Sequence, residues 1–333
     1  MQISSEHIDN WLVLQSNLGR ARNTVAAYTY ALHDYQQFCL DRNIDIDTAS
    51  REHVSLYVRN LLVCPSLKNQ ADNNCLLANA TIRQRITVIR LYYDYLVEEG
   101  IRSTNPVGRG HRYDRHYGHD MKPLVPVQHK MPWIPDEEAW QKLLVEARKM
   151  SLRNRLMLAL AYDGGLRREE LCRLNTEDID PSQRLLHIRA ETTKAKRDRI
   201  VPYSACTGQL LLGYLRYRQR LTSARGALFV SESTRNFGKP VSRWTWSKVI
   251  RLLADTAEVP RFSTHTLRHL CLTDLARSGW DLHEIASFAG HRNTSTTLIY
   301  IHLSGRELAA KLAVASSVHS VRIQSMSTLF HES

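Results

Sequence analysis

No apolar run in this 333-residue chain approaches the ~18–20 residues that a membrane-crossing helix needs, which excludes a helical membrane protein. Cysteine is scarce. The six at positions 39, 64, 75, 172, 206 and 271 form no C-x-x-C pair, and their spacing reads as no disulfide framework, so reduced thiols in a cytoplasmic protein are expected. The first ten residues, Met1 to Asn10, lack a basic segment followed by an apolar one, so no secretory leader is expected. Internal repeats and low-complexity tracts are missing as well, which excludes an array of stacked repeats. Negative charge is the scarcer sign, with 33 Asp and Glu against 45 Lys and Arg and a formal net charge of +12. Such an excess suits a polyanionic partner, because cations that neutralise phosphates release condensed counterions. It equally suits an ordinary basic soluble protein.

Hydrophobic residues make up 43 % of the chain, enough for each half of a two-domain protein to bury a core. The first hundred residues carry helical periodicity. Val25, Tyr28, Leu32, Tyr35 and Cys39 share one face, with Thr24 as the expected cap. Ser50 precedes a second helix. Ile82, Ile86, Ile89, Tyr93 and Leu96 form a stripe on another that starts near Asn79 and ends at Gly100. Tyr92, Tyr93 and Tyr95 cluster here and read mostly as core. Residues 64–79 are polar and read as a loop. From Asn105 to Pro135 the pattern breaks, with five prolines and three glycines, as in an interdomain linker. Its Arg109, Arg112 and Arg115 are either a solvated tether or a strap along a phosphate backbone. After Asp136, placed to cap a helix, periodicity returns. Helices are expected at 152–163, 168–174, 204–222, 243–257, 265–278, 281–289 and 294–301, and two short strands at Leu185–Arg189 and Arg199–Val201. A last amphipathic segment spans Glu307–Ala315. The expected fold is therefore mainly α with a small antiparallel β-sheet. Its domains are 1–104, helical, and 131–333, joined by a linker at 105–130.

Four segments of the second half stand out: Gly165-Leu-Arg-Arg-Glu-Glu-Leu171, then Thr193 to Pro202, then His265-Thr-Leu-Arg-His269, and Gly290-His291 with Tyr300 nine residues on. Together they hold what attack on a phosphodiester requires. Two guanidiniums, Arg167 and Arg268, offer fixed forks of donors for non-bridging oxygens. Tyr300 is the candidate nucleophile, a phenol that can attack in line if neighbouring cations favour its ionised form. Lys194, on a turn between strands, is the candidate proton donor to the leaving oxygen. His265 and His291 are placed to donate to phosphate oxygens or to share proton traffic. Positioning and electrostatics carry most phosphoryl-transfer catalysis, so no metal ion and no cofactor are expected.

These segments, in order, resemble the signature boxes of the tyrosine recombinases, the family of phage integrases and Xer recombinases, over roughly residues 133–305. The first domain resembles the family's core-binding domain more loosely. The resemblance implies a two-domain clamp on duplex DNA that cleaves and rejoins strands through a 3′-phosphotyrosyl link, working as a homo-tetramer on paired sites. It implies Arg167, His265 and Arg268 as phosphate clamp and Lys194 as general acid toward the 5′ oxygen. His291 would assist at the phosphate, and Tyr300 would be the nucleophile. Glu170 and His269 would support them. Lys196 and Arg199 join the linker arginines as candidate contacts to the DNA backbone. The tail helix at 307–315 would dock on a neighbouring protomer or on its own domain. The match departs at the hairpin, where Thr193 and Ala195 flank the lysine. Lys196, on the same face of an extended strand, therefore remains the alternative acid. Leu270 and Cys271 follow the histidine–arginine box in place of the family's aromatic or small residues.

Plainer readings exist for each piece. Arg167 beside Glu169 and Glu170 is also an ordinary surface ion pair, worth under ~1 kcal/mol. Glu169 and Arg168 read as solvent-facing. Tyr300 within Leu298–Ile301 is also a core phenol. His265 and His269, four apart, have metal-ligand spacing, but Thr266 stands where a zinc protease carries glutamate and Arg268 would repel a dication. Rival functions are a type IB topoisomerase, a DNA-binding module without catalysis, and a metallohydrolase.

Overall fold

The computed structural model describes residues 3–63, 77–107, 131–193 and 196–305. The chain divides into two compact units, Met1–Lys130 and Met131–Ser333. Among the described residues no helix is long and apolar enough to cross a membrane.

Among its described residues the first unit has four helices, α1 (Ile3–Asn17), α2 (Arg22–Leu40), α3 (Arg51–Val63) and α4 (Asn79–Glu98). The expected stripe on α4 is its buried face: Ile82, Ile86, Ile89, Tyr93 and Leu96 are all at most 3 % exposed. Buried aromatics bring hydroxyls into this core, and each finds a partner, as desolvated polar groups must. Tyr92 donates to Asp47 at 2.6 Å, Tyr93 to the Ile46 carbonyl at 2.7 Å and Tyr57 to Asp34 at 2.5 Å. Gly100, just past α4, adopts φ +70°, the left-handed turn that ends a helix without a Cβ penalty. Thr24 does not cap α2. The helix starts two residues earlier, so the Thr24 amide already bonds the Ala21 carbonyl inside the first turn, and Ala21 offers no side-chain cap. The stretch expected to open the linker is anchored at its start. Asn105 donates to the Arg90 carbonyl and to Asp94, and Val107 is buried against the core.

The second unit starts with α5 (Glu137–Ala147), capped by the Asp136 carboxylate, which accepts from the Ala139 amide at 2.9 Å. It continues through α6 (Leu152–Asp163) and the short α7 (Arg168–Cys172) into a three-stranded antiparallel sheet in the order β1 (Ile179–Asp180), β2 (Leu185–Ile188), β3 (Arg199–Pro202). Leu186 faces Val201 and Ile188 faces Arg199 across the β2–β3 pair. Helices α8 (Ala205–Leu221), α9 (Arg243–Thr256), α10 (Thr264–Arg277), α11 (Leu282–Ala289) and α12 (Ser295–Ser304) follow among the described residues. Helix α10 is central: it packs on α6, α11 and α12, and its Leu267, Leu270, Cys271 and Leu272 are buried. A buried ionisable side chain on such a helix must be paired, and Arg268 is, through the Gly165 and Ala289 carbonyls. The segment Glu307–Ala315 and linker residues Arg109, Arg112 and Arg115 lie outside the described residues.

Candidate active site

The site forms where the tight turn before α7, the β3 strand, helix α10 and the turn between α11 and α12 meet. Arg167 is the residue before α7. Its backbone amide donates to the Glu170 carboxylate at 2.9 Å, so the glutamate that closes the helix start also receives the arginine's own guanidinium, at 2.8 Å. The same guanidinium reaches the Ala289 and Gly290 carbonyls at 3.4 and 3.3 Å. Arg268, on α10 and only 4 % exposed, donates to the Gly165 and Ala289 carbonyls, both at 2.6 Å, and to His291 at 2.9 Å. Burial, with Arg167 nearby, lowers its pKa to about 10, still well above neutrality, so this guanidinium stays charged. Two arginine forks distant in sequence thus converge on one turn, Ala289–Gly290.

That turn requires glycine. Gly290 has φ +62°, and a Cβ there would stand 3.0 Å from the Arg199 guanidinium. Arg199 was expected to face DNA. It faces inward instead: its side chain is 8 % exposed, holds Glu170 through two hydrogen bonds at 2.7 and 3.1 Å, and donates to the Phe288 carbonyl at 2.9 Å. The alternation of β3 accounts for this, since Arg199 shares a face with buried Val201. Glu170, fully buried between two arginines, would be raised by burial alone, but the Arg199 and Arg167 contacts hold its pKa at about 2. Arg199, Glu170 and Arg167 therefore tie the hairpin strand to the clamp, a role for Arg199 that the sequence reading missed.

Lys194 lies outside the described residues. Lys196 is exposed and adopts φ +52°, with its amide on the Thr193 carbonyl, so it sits in a turn and the extended strand begins only at Arg199. Lys196 therefore does not lie on the extended strand. Arg168 is half-buried and bonded to Ser247 at 2.8 Å, so it is not simply solvent-facing. It borders a groove of about 650 Å³ on α9, lined also by Trp244, Lys248, Arg251, Ser263 and Thr264.

The histidines differ in what they can do. Arginine only donates, so the 2.9 Å contact makes His291 Nε2 an acceptor. Its Nδ1 then carries the proton and donates to Thr297 Oγ1 at 2.8 Å. Burial and then Arg268, Arg167 and Arg199 hold its pKa at about 3. Both ring nitrogens are occupied, so donation from Nε2 to a phosphate, as expected from sequence, would require a different tautomer. His265 is exposed at the rim, its pKa lowered by desolvation and then by Arg168, Arg268 and Arg167. His269 Nδ1 meets the Tyr300 hydroxyl at 3.1 Å, and burial, His265 and Arg268 bring its pKa to about 4.

Tyr300, 3 % exposed on α12, lies parallel to the His291 ring at 8° and 6.1 Å. Burial raises its pKa, and the pull of Arg268 and Arg167 does not overcome it. The condition set for easy ionisation, that nearby cations favour the phenolate, is therefore not met in the free protein, where burial outweighs them. Among the described residues no three His, Cys, Asp or Glu side chains converge as metal ligands.

Neutral histidines make this site acid-sensitive. Unfolded, both titrate near 6.5, whereas folded they resist protonation down to about 4 for His269 and about 3 for His291. The unfolded state therefore binds more protons below 6.5, and stability falls as pH drops from 6.5 through those values. Glu170 adds a loss only below 4.5. Calorimetry of the full chain should show the unfolding temperature level above pH 7 and declining from 6.5 to 4. A transition that rises over that window would contradict the neutral assignment.

Comparison with known proteins places these features in context. Residues 135–307 match the model described as phage integrase family, and residues 8–100 match that of the phage integrase N-terminal SAM-like domain. A protein named tyrosine recombinase from Pseudothermotoga lettingae is 27 % identical over 286 residues, covering 86 % of this chain and 89 % of its own length. Transposase A from transposon Tn554 of Staphylococcus aureus is 26 % identical over 323 residues, covering 91 % of this chain and 89 % of its own. Among solved structures, the Tn1549 transposon integrase in complex with transposon right end DNA aligns with a TM-score of 0.68 at 16 % identity. The alignment covers 92 % of this chain and 99 % of that one. At that identity the likeness is one of fold.

Proposed function

The chain belongs to the phage integrase family, and from that premise we propose that it is a site-specific tyrosine recombinase, cleaving and rejoining duplex DNA through a 3′-phosphotyrosyl link. One observation carries the reading: two charged guanidinium forks, one from the residue before α7 and one from α10, converge on the Ala289–Gly290 turn, and the buried Tyr300 phenol lies within their field. In this reading Arg167, Arg268 and His265 receive the scissile phosphate. Tyr300 attacks in line. A lysine of the β2–β3 connection, Lys194 or else Lys196, protonates the departing 5′ oxygen. His291 fixes Arg268, and Glu170, itself held by Arg199, fixes Arg167. The bond energy is kept in the phosphotyrosyl link, so the chemistry calls for neither ATP nor a metal ion.

Residues 1–104 and 131–333 would grip opposite sides of a duplex, with the linker arginines along its backbone and the groove by Arg168, Lys248 and Arg251 against phosphates. Binding of this kind weakens steeply with salt. Four copies on two paired sites would exchange strands, with the segment Glu307–Ala315 available for docking between protomers. The relative named transposase A supports movement of a mobile element as the biological task. The site of action would be the cytoplasm.

A four-way junction built from the DNA flanking the chain's own gene tests the reading. In EDTA and without ATP, the protein should resolve it into paired duplex products. A protein that relaxes supercoiled DNA but leaves four-way junctions intact would instead be a topoisomerase.

A further inference from the structure

We propose that His269 is the base that takes the proton of Tyr300 as the phenol attacks phosphorus. The inference rests on the recombinase reading above and assigns a step that reading leaves open. The phenol is buried and neutral, so a nucleophilic oxygen requires that the proton leave in the course of attack. A base must lie within hydrogen-bond reach of that proton.

The geometry separates the three histidines. His291 presents its ring face to Tyr300, nearly parallel, and both of its nitrogens are engaged, one accepting from Arg268 and the other donating to Thr297. It has no lone pair to offer the phenol. His265 is exposed at the rim. His269 directs Nδ1 at the hydroxyl from 3.1 Å, with its ring tilted 35° to the phenol rather than stacked. It sits one residue after Arg268 on α10, the helix against which α12 packs, so the same backbone that aims the clamp at phosphate also aims the imidazole at the nucleophile. Neutral at physiological pH, the ring has a lone pair on the nitrogen that meets the phenol when Nε2 carries its proton.

The step balances. The Tyr300 O–H bond breaks and its proton passes to His269 Nδ1. The oxygen's electron pair forms the new O–P bond. The bond from phosphorus to the 5′ oxygen breaks, and that oxygen takes a proton from the lysine of the β2–β3 connection. In religation the 5′ hydroxyl returns its proton to the lysine, and imidazolium 269 reprotonates the departing phenolate. The positive charge on His269 is transient and forms only once an anionic phosphate faces Arg268, offsetting the repulsion between neighbouring cations.

Asparagine at 269 separates a base from a mere holder, because its amide offers a hydrogen-bonding atom near the Nδ1 position yet cannot accept the proton. Single-turnover formation of the covalent adduct is measured on a nicked substrate that loses the product strand. His269→Asn should slow it on the order of 10²-fold while the affinity for the same DNA changes less than threefold. Introducing a fluorinated tyrosine of lower pKa at position 300 should restore most of that rate in the His269→Asn background, since a more acidic phenol needs less help. Adduct formation by His269→Asn at the wild-type rate would overturn the assignment, leaving the residue a holder of the ring. Absence of rescue by the fluorinated phenol would overturn it too. Failure of the unaltered protein to form any adduct would instead remove the recombinase reading itself.

Discussion

Tyr300→Phe should give a protein that folds, binds its DNA site within about twofold of wild type, and never becomes attached to it. The change removes one oxygen. Its hydrogen bond to His269 is worth about 0.5–1.5 kcal/mol to the fold, while the ring keeps its parallel contact with His291 and its place in the core. Stability therefore falls slightly, and chemistry is lost entirely, because no other hydroxyl replaces a nucleophile in that field of guanidiniums. The measurement is retention of labelled DNA on the protein through denaturing electrophoresis after incubation with a nicked substrate. A phenylalanine variant that still retains label would move the nucleophile elsewhere in the chain, and with it the reading of the whole site.

Arg268→Ala should lower the rate of adduct formation by on the order of 10²–10³, the range for losing one preorganised donor to a developing charge. It should also destabilise the second unit measurably. The side chain is nearly fully buried and holds the Gly165 and Ala289 carbonyls; without it Ala289 keeps only the longer Arg167 contact, and Gly165 loses this donor. An orphaned buried acceptor costs about 1–3 kcal/mol. Arg268→Lys separates the two effects. Lysine restores charge but not the planar fork that spans both carbonyls and His291, so its cleavage rate should stay well below wild type even where the melting temperature recovers. A rate for Arg268→Ala within threefold of wild type would exclude this residue from the clamp. Arg167→Ala should show a similar loss of rate with a smaller loss of stability, since its side chain is about one quarter exposed.

Much of this site can be read from the sequence, and the parts that cannot have identifiable causes. The helices come from apolar spacing, and α6 coincides with the expected 152–163 because the apolar run Leu156–Ala161 lies between Ser151 and the glycine pair. The strands at 185 and 199 follow from short alternating runs around a turn. The meeting of Arg167, Arg268, His291 and Tyr300 follows from the resemblance of their boxes, since nothing in local spacing shows that residues over a hundred positions apart converge. Arg199 could have been placed from alternation alone, as it lies two residues before an apolar strand position, but its charge suggested solvent. Lys196 was judged on an extended strand because the sequence carries no glycine there to mark the left-handed residue. Whether Tyr300 ionises cannot be read by counting nearby cations, because desolvation dominates for a side chain so deeply enclosed. Hydrogen-bond direction at His291 and His269 depends on three-dimensional contact and leaves no trace in spacing.

Gly290 shows how far the demands of this chemistry extend into residues with no chemistry of their own. Its left-handed backbone leaves room for the Arg199 guanidinium directly above it, and that guanidinium steadies Glu170, which steadies Arg167. A single methyl group at 290 would meet the first member of this chain and be felt at the last. Loss-of-function substitutions are therefore expected at this glycine, which has no side chain to take part in catalysis, as well as at the nucleophile.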